Sequence, residues 1–394
     1  MISVESAKSC LLTTNFRLEG EQISLFSSCG RILSDDVLSP VDHPPFNQTA
    51  VDGFAFGFDS YISGTPLVIA GEIAAGDEFP GILNAGTCVR IYTGARIPSG
   101  GDTVVMQEHV NIEIDSILLQ DPKIKKGKNV RKKAEQIASG EIAMIAGSVI
   151  KADAIGFLAS IGAIQVSVAR RPHISVTVTG NEFAASLDEL KHGKVFESNG
   201  GMLQAALAKE GIQAQIQRGP DDPEKLKSKI GATLDQSDII IVTGGVSVGR
   251  YDFTREVLTG LGFEIIFHQV SQKPGKPMLF ARKGNQFAFG LPGNPRAVMI
   301  GFYEYILPFI RCISGCPAPF LHSAMLPLKH EFLQDPGRAQ FLAAGIDKGG
   351  VEILDGQGSH MLQSMAMADA IVYIPADVEF IGPGELVEVH LPIL

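Results

Sequence analysis

The chain has 394 residues, of which 45% are hydrophobic and 19% are charged, with a formal net charge of −10. This length is enough for about two or three globular domains. The acidic balance argues against nucleic-acid binding, which needs Lys and Arg in excess on one face. No apolar run reaches the roughly 18 residues of a membrane span, and the N-terminus lacks a basic and then apolar signal pattern. We therefore expect a cytoplasmic protein with no nucleic-acid or membrane partner.

The first 168 residues predict two domains. Residues 1–40 read as a helix followed by a strand, a turn and a strand. Residues 41–131 contain short β-branched runs separated by Gly and Pro, which predicts a β-rich domain. Residues 132–168 read as strand, helix and strand, and we expect them to return to the first segment. Segments 1–40 and 132–168 would then form one split α+β domain around the β-rich insertion.

Strand and helix patterns alternate through residues 169–322. Uncharged runs such as IIIV at 239–242 predict buried strands of a parallel-type sheet with helices on both faces. Ligands of such sheets bind in the crevice at the carboxyl ends of the strands. Residues 323–394 contain short strands separated by Gly and Pro, which predicts a C-terminal β-barrel or sandwich. The predicted fold class is therefore multidomain α/β and β.

A glycine-rich loop, TGGVSVG at 243–249, follows one of these strands. Glycines let backbone N–H groups approach a ligand, and the hydroxyls of Thr243 and Ser247 add donors, so the loop suits a phosphate or another oxyanion. It is neither a Walker loop nor a G-x-G-x-x-G dinucleotide motif. A tight strand-to-helix turn that needs glycine for its geometry alone is the alternative.

Acidic residues follow three strand ends. Glu182 follows HISVTVTG, Asp221 and Asp222 follow IQAQIQRG, and Asp252 follows the glycine-rich loop. Carboxylates beside a phosphate site suggest Mg²⁺, which binds through one or two carboxylates and substrate oxygens. Helix N-capping is the alternative for Asp221 and Asp222, which precede Pro-Glu.

Two further turns add candidate anion-binding groups. Lys273 and Lys276 flank Pro274-Gly275, so a short turn holds two ammonium groups near one another, and an anion would relieve their repulsion. Simple solvation of both lysines is the alternative. The turn LPGNP leads into a helix that begins at Pro295, with Asn294 as its expected cap, and we expect free N–H groups there to face the same crevice.

The segments TGGVSVG, KPGKP and GLPGNP, in this order and spacing, resemble the molybdopterin molybdenumtransferase family, which includes MoeA and the gephyrin E domain. The upstream segments PPFNQTAVDGFAFG and RIYTGARIPSGGDTVVMQE and the downstream segments GRAQFLAAGI and GQGSHMLQSMAMADAIVYIP extend the resemblance over essentially the whole chain. It implies a four-domain homodimer whose active site is shared between subunits, and other cofactor-assembly proteins as further partners. It also implies an Mg²⁺-dependent transferase that converts adenylylated molybdopterin and molybdate into molybdenum cofactor and AMP.

The resemblance assigns roles position by position. Asp52 and Thr93 are expected to reach the crevice of the partner subunit, whereas without the resemblance Asp52 before Gly53 reads as a turn residue. The implied catalytic residues are Asp52, Thr93, Glu182, Asp252, Lys273 and Lys276. The implied ligand-binding residues are Thr243, Gly244, Gly245, Ser247, Gly249, Arg250, Pro292, Gly293, Asn294, Pro295, Arg338 and Ser359. The implied metal ligands are Glu182, Asp221 and Asp252.

Five positions depart from the family pattern. Ala134 and Gln136 replace a glycine and an aspartate, Asn181 replaces an aspartate, Arg250 replaces an acid, and Ala343 replaces a second barrel arginine. These departures leave two hypotheses: an active transferase with altered phosphate affinity, or a paralogue that binds or carries the pterin nucleotide, or scaffolds cofactor assembly, without efficient metal insertion.

A third hypothesis is a nucleotide-dependent hydrolase on a similar α/β domain. That reaction needs a nucleophile or a base at the loops. None of the loops considered above contains a histidine, and His268 lies inside a predicted strand.

Overall fold

The computed structural model describes residues 1–246 and 253–392. The chain divides into two compact units. Unit 1 consists of residues 1–21, 147–149 and 168–394. Unit 2 consists of residues 22–146 and 150–167. Within the described ranges, no helix is long and apolar enough to cross a bilayer.

The described helices and strands have the following bounds. The helices are α1 Val4–Leu12, α2 Ala152–Ser160, α3 Asn199–Lys209, α4 Pro223–Leu234, α5 Phe253–Gly260, α6 Pro295–Gly301, α7 Leu307–Ile313 and α8 Gln363–Met367, with a π-helical segment, Phe302–Ile306, between α6 and α7. The strands are β1 Gly20–Ser24, β2 Val37–Leu38, β3 Gln48–Thr49, β4 Gly53–Phe56, β5 Leu67–Ile73, β6 Thr87–Ile91, β7 Thr103–Met106, β8 Val110–Ile112, β9 Ser116–Leu119, β10 Val130–Arg131, β11 Ile142–Met144, β12 Gln165–Ala169, β13 Ile174–Thr179, β14 Gln215–Gly219, β15 Ile239–Thr243, β16 Glu264–Gln269, β17 Gln272–Lys273, β18 Pro277–Lys283, β19 Gln286–Leu291, β20 His322–Pro327, β21 Phe332–Leu333, β22 Ala339–Asp347, β23 Gly350–Ile353, β24 Ala370–Ile374, β25 Phe380–Ile381 and β26 Leu386–Leu391.

Unit 2 is built around a sheet of short strands in the order β7-β4-β6-β5-β9-β8. Its apolar runs alternate with Gly- and Pro-containing turns, as the sequence pattern predicts for a β-rich domain. Outside this sheet, β11 pairs antiparallel with β2, with Ile142 opposite Leu38. The chain that follows the β-rich segment therefore returns to the segment that precedes it, as expected from the sequence.

The central sheet of unit 1 has the order β14-β13-β15-β19-β18-β16. Strands β14, β13, β15 and β19 are parallel, and the register places Val178 opposite Thr243 and Thr243 opposite Leu291. The carboxyl ends of β13, β15 and β19 therefore lie side by side at one edge of the sheet. Ligand-binding loops of α/β sheets leave from this edge.

One strand of this parallel-type sheet runs in the opposite direction. Strand β18 runs antiparallel to both of its neighbours, β16 and β19. The reason is a two-residue hairpin: Lys283 pairs with Gln286, and Gly284 between them has a φ of 59°. Glycine tolerates the positive φ that such tight hairpins require.

Helices cover both faces of the central sheet. Ile239 and Ile241 pack in the same core as α3 and the α6–α7 helical segment, whereas Ile240 and Val242 pack with α4 and α5. All four isoleucine and valine side chains are fully buried, and each contributes about 1.5–3 kcal/mol by leaving water. An uncharged strand is the pattern expected when both sheet faces are covered.

The C-terminal strands of unit 1 form a second sheet, in the order β17-β22-β24-β26-β20, with β23 paired to β22. Strand β17 adds to β22 in parallel, with Gln272 opposite Ala339 and Lys273 opposite Gln340. The turn that carries the two candidate lysines is thereby joined to the strand that directly follows Arg338.

Candidate functional site

The two glycine-containing bends meet at the carboxyl edge of the central sheet. Gly244 donates its backbone N–H to the carbonyl oxygen of Leu291 at 3.1 Å. A Cβ added to Gly293 would lie 3.9 Å from the Cα of Gly244. Gly244 and Gly245 have φ values of 87° and 62°, a region that favours glycine. The bends that follow β15 and β19 are therefore direct neighbours.

Both bends line a cavity of about 860 Å³, termed here the first cavity. Thr179, Asn181 and Glu182 line it from the end of β13. The other described lining residues are Gly180, Phe183, Val195, Phe196, Ser198, Asn199, Asp221, Gly244, Gly245, Val246, Phe253, Gly293, Asn294, Pro295 and His360. The cavity therefore has an apolar side with several phenylalanines and a polar floor of loop backbone.

Two buried polar atoms of the first cavity have no hydrogen-bond partner among the described residues. They are the hydroxyl oxygen of Thr179 and Oδ1 of Asn199, and both side chains are more than 90% buried. Asn199 uses Nδ2 to donate to the Gly293 carbonyl and to the Thr243 hydroxyl, each at 2.9 Å. Because a carbonyl can only accept, this contact fixes the amide orientation and leaves Oδ1 as a free acceptor. Buried polar atoms are normally paired, so a ligand is expected to pair with them.

The acids predicted at the strand ends occupy different positions. Glu182 and Asp221 line the first cavity, and Asp221 accepts a hydrogen bond from the backbone N–H of Asn181 at 3.2 Å. Asp222 instead caps α4, because its carboxylate accepts from the Lys225 N–H at 2.9 Å. The sequence left metal binding and helix capping open for both acids. Asp222 is the helix cap, and Asp221 is the residue at the cavity.

The described residues contain no group of three or more His, Cys, Asp or Glu side chains that could hold a metal ion. Glu182 and Asp221 both line the first cavity, and carboxylates are side chains through which Mg²⁺ commonly binds, with its remaining oxygens taken from substrate phosphates and water.

A second cavity of about 840 Å³ adjoins the first and shares Glu182, Val246, Gly293 and Asn294 with it. The described charged residues that line it are Lys273, Lys276, Arg338 and Glu182. Three cations and one carboxylate give this cavity a positive balance. In contrast, the first cavity has two carboxylates and no Lys or Arg among its described lining residues. The two halves of the cleft therefore favour different parts of a ligand.

The turn that carries Lys273 and Lys276 is held by buried side chains. The fully buried Gln272 donates from Nε2 to the Pro274 carbonyl at 3.0 Å and accepts from the Tyr305 hydroxyl. The Val270 N–H closes the turn by donating to the Lys276 carbonyl at 3.0 Å. A turn fixed in this way keeps two like charges near one another, which a freely solvated turn would not do.

The expectation that Asn294 caps α6 is wrong. The helix begins at Pro295 as predicted, but the Asn294 side chain makes no capping hydrogen bond. Its Nδ2 donates to the Ser359 hydroxyl at 2.9 Å, and the Arg296 N–H donates to the Ser359 carbonyl at 3.2 Å. One N–H group that was expected to be free for a ligand is therefore satisfied within the protein. Asn294 instead joins its bend to the loop of Ser359, and both residues line the second cavity, as does Pro292.

Thr243 lies behind the cleft rather than in it. This residue is fully buried, and its hydroxyl accepts from Asn199 and donates to the Pro292 carbonyl at 3.5 Å. It is not among the residues that line either cavity. The hydroxyl that the sequence suggested as a ligand donor thus connects the two bends.

Asp52 and Thr93 lie together in unit 2. The Asp52 carboxylate accepts from the Thr93 N–H at 2.8 Å and from the Thr93 hydroxyl at 2.7 Å. The backbone hydrogen bond, with a smaller effect from the hydroxyl, lowers the pKa of Asp52. Both residues are exposed, so this pair is an ionised carboxylate presented at the surface of unit 2.

Four predicted site residues cannot be placed. Ser247, Gly249, Arg250 and Asp252 lie outside the described residues.

The structure also brings residues to the cleft that the sequence analysis did not select: Thr179, Phe183, Val195, Phe196, Asn199, Gln357 and His360. The sequence predicted no histidine at these loops, and this prediction is corrected by His360, which lines the first cavity. Its position directly after Ser359 was the available signal. For Asn199, at the start of a helix, the sequence contains no comparable signal, because its free acceptor depends on contacts with two distant loops.

For three of the departures from the family pattern, the structure gives a specific contact or backbone conformation. Asn181 presents its backbone N–H to Asp221. Ala343 is fully buried in β22, and its peptide N–H and carbonyl both bond to the Gln357 amide, at 3.1 and 2.9 Å. Ala134 has a φ of 60°, which an alanine rarely adopts.

We expect Ala134→Gly to stabilise the protein. A left-handed conformation costs an L-residue about 1–2 kcal/mol, and glycine loses only about 0.5–1 kcal/mol of chain entropy in return. Chemical denaturation should therefore show a gain of up to about 1 kcal/mol in the free energy of unfolding. Ala138→Gly, in the same segment but without a positive φ, is the matched control and should lower stability. A lower stability for Ala134→Gly would contradict the strained conformation.

The fold and the cleft together define a class: a multidomain α/β and β protein whose ligand cleft lies at the carboxyl edge of the central sheet. Three family models match the chain. They are the MoeA N-terminal region (domain I and II) at residues 2–162, a probable molybdopterin binding domain at 175–312, and the MoeA C-terminal region (domain IV) at 325–391. The chain belongs to the MoeA family of molybdopterin molybdenumtransferases.

Relatives and solved structures agree with this assignment. The chain is 31% identical to a molybdopterin molybdenumtransferase of Staphylococcus epidermidis, over 99% of this chain and 95% of that protein. It is 32% identical to one from Nostoc, over 100% of this chain and 94% of that protein. A MoeA protein from Pyrococcus horikoshii has a TM-score of 0.83 at 29% identity, covering 100% of this chain and 99% of the other. The multidomain α/β and β fold class predicted from the sequence is confirmed.

Proposed function

We propose that the chain is a molybdopterin molybdenumtransferase, which inserts molybdate into adenylylated molybdopterin and releases AMP. One observation carries this proposal. The first cavity combines two glycine bends with the unpaired buried oxygens of Thr179 and Asn199, and it opens beside a second cavity lined by three cations. A ligand with a planar polar ring, phosphate groups and an adjoining oxyanion matches that combination.

The first cavity suits the pterin nucleotide. The free acceptor Oδ1 of Asn199 needs a ligand N–H, which a pterin ring carries. Phe183 and Phe196 offer apolar ring faces to a planar ligand. Backbone N–H groups in positive-φ bends such as Gly244-Gly245 form concave anion sites, so we assign the phosphates to these bends.

The second cavity suits molybdate, the second substrate. Lys273, Lys276 and Arg338 neutralise its two negative charges, and the Ser359 hydroxyl is available beside them. The buried Gln272 and Tyr305 fix the lysine turn before the substrate arrives. Charges held in place in this way need little reorganisation during the reaction, which is the main source of electrostatic catalysis.

We propose magnesium dependence on the basis of Glu182 and Asp221 in the first cavity. A bound Mg²⁺ would neutralise phosphate oxygens and assist the departure of AMP. Glu182 lines both cavities, so it lies where a nucleotide phosphate and molybdate would approach one another.

We further propose a cytoplasmic homodimer with four domains in each chain: 1–40 with 132–168, 41–131, 169–322, and 323–394. The family models matched at 2–162, 175–312 and 325–391 support the boundaries near residues 168 and 322. In this proposal Asp52 and Thr93 of one subunit act at the cleft of the other. The ionised Asp52 carboxylate, exposed and oriented by Thr93, is suited to contact a ligand outside its own unit.

An assay of the purified protein with adenylylated molybdopterin, molybdate and Mg²⁺ tests the proposed activity. We expect AMP release and molybdenum cofactor formation in equal amounts, with both lost when Mg²⁺ is chelated. Omission of molybdate is the control and should prevent cofactor formation. Tight binding of the nucleotide without any turnover would contradict the transferase and would instead support a carrier of the pterin nucleotide.

A further inference from the structure

Arg296 is a buried cation that the function described above does not use. It is fully buried, although arginine is among the residue types least often found without solvent contact. It occupies the second position of α6, directly after Pro295 and before Ala297, and both of these neighbours line the cleft. A buried charge at the wall of a ligand cleft calls for a physical explanation.

The hydrogen-bond partners of Arg296 are all neutral. Its guanidinium donates to the Phe341 carbonyl at 2.9 Å and to the carbonyl and side-chain oxygens of Gln357. Among the described residues no carboxylate contacts it, and its Nε has no partner. A buried charge without a counter-ion is costly, because the desolvation of the charge is not repaid by an ion pair.

The guanidinium nevertheless remains charged at neutral pH. Burial lowers the pKa of Arg296 to about 10, which is still well above the pH of the cytoplasm. The protein therefore maintains an unneutralised positive charge at this point of its interior. Hydrogen bonds to neutral oxygens hold this charge in place without cancelling its field.

Only one layer of residues separates this charge from the second cavity. Gln357, which accepts from the guanidinium, lines that cavity together with Gly358 and Ser359. The backbone N–H of Arg296 also donates to the Ser359 carbonyl. The same residue thus anchors both ends of the loop segment 357–359. A charge behind a protein wall is screened less by salt than one at the surface.

We propose that Arg296 is a positioning residue for the oxyanion: it fixes the 357–359 segment and adds a permanent positive charge behind the second cavity. This inference rests on the proposed function, in which molybdate occupies that cavity. Arg296 does not touch the substrate. It acts through Gln357 and Ser359, and it adds to the charges of Lys273, Lys276 and Arg338.

The test compares Arg296→Met with Arg296→Lys. Methionine has a similar length and no charge, whereas lysine keeps the charge but not the planar fork. Binding of molybdate alone is measured by calorimetry, and KM for molybdate, KM for adenylylated molybdopterin and kcat are measured in the full reaction. Arg282→Met, in β18 and outside both cavities, is the control for the loss of one net positive charge.

We expect Arg296→Met to weaken molybdate binding and raise its KM by about tenfold or more, since loss of a nearby charge in a low-dielectric wall has an effect of this order. KM for the nucleotide should change by less than about twofold. The thermal midpoint of unfolding should fall little, because an uncompensated buried charge contributes little to stability. Arg296→Lys should lose less than about tenfold in molybdate affinity, and less than Arg296→Met, because lysine keeps the charge but lacks the planar fork that holds the 357–359 segment. Arg282→Met should match the wild type.

Unchanged molybdate binding in Arg296→Met overturns the inference, as does an equal loss of affinity for both substrates. If Arg296→Met does not fold, Arg296→Lys is the deciding variant. Retained affinity for molybdate supports a contribution of the positive charge, whereas a loss above about tenfold shows that only the planar guanidinium fork matters. The proposed function fails separately. If molybdate binds in an Arg296-dependent manner but no cofactor forms, the transferase is refuted and the role of Arg296 remains.

Discussion

Gly244→Ala should lower kcat/KM by about 100-fold or more, because a shift of about 1 Å in a site can cost that much. The backbone of Gly244 has a φ of 87°, and an added Cβ would lie 2.4 Å from the Thr179 hydroxyl oxygen and 2.7 Å from the Thr179 carbonyl oxygen. The carbonyl belongs to a buried strand and cannot move away. The bend itself must therefore shift, and its N–H groups would leave the position in which they meet the ligand.

The same substitution should destabilise the protein by about 1–3 kcal/mol, as expected for a residue forced into an unfavourable backbone region. Gly201→Ala is the matched control. Gly201 lies in α3, has no positive φ and has nothing within 4 Å of an added Cβ, so alanine should leave activity unchanged and raise helix stability slightly. Steady-state kinetics and thermal unfolding measure both effects. Wild-type kinetics for Gly244→Ala would show that the bend does not hold the ligand.

Mixing two inactive variants should restore activity if the site is shared between subunits. Asp52→Asn keeps the oxygen that accepts from Thr93 but removes the negative charge. Glu182→Gln likewise removes a carboxylate charge, in the cleft. Each variant alone should lose about 100-fold or more in kcat, as is common when a positioned charged group is removed. A mixed dimer contains one site with both defects and one site with neither. Random exchange of subunits should therefore recover about a quarter of wild-type activity.

A mixture of Asp52→Asn with Thr93→Val is the control for this experiment. These two residues contact one another in unit 2, so both sites of a mixed dimer carry one defect and no activity should return. Recovery in the first mixture alone supports a site assembled from two chains. If neither mixture recovers while each variant is inactive, the shared site is contradicted.

The sequence predicted the frame of the site because that frame depends on local patterns. Uncharged runs predicted the strands β13 and β15, and the Thr-Gly pairs that end them marked the edge from which the loops leave. Proline and glycine marked the two turns, and the helix start at Pro295 followed from its fixed φ. These features need only neighbours along the chain, so a single sequence contains the information.

The sequence did not predict features that depend on distant partners. Asn294 has the residue type of a helix cap, yet its side chain donates to the hydroxyl of Ser359, which is distant along the chain. Arg296 would be placed at the surface by composition, but Phe341 and Gln357, more than 40 residues away along the chain, surround its guanidinium. The reversed strand β18 is marked in the sequence only by the short Gly284 hairpin that joins it to β19.

A crystal structure of the protein with adenylylated molybdopterin and molybdate tests the central claim most directly. We predict phosphate oxygens within hydrogen-bonding distance of backbone N–H groups at Gly245 and Gly293, a pterin N–H on Oδ1 of Asn199, and molybdate beside Lys273, Lys276 and Arg338. A nucleotide bound elsewhere, with both cavities filled only by water, would contradict the assignment of this cleft as the active site.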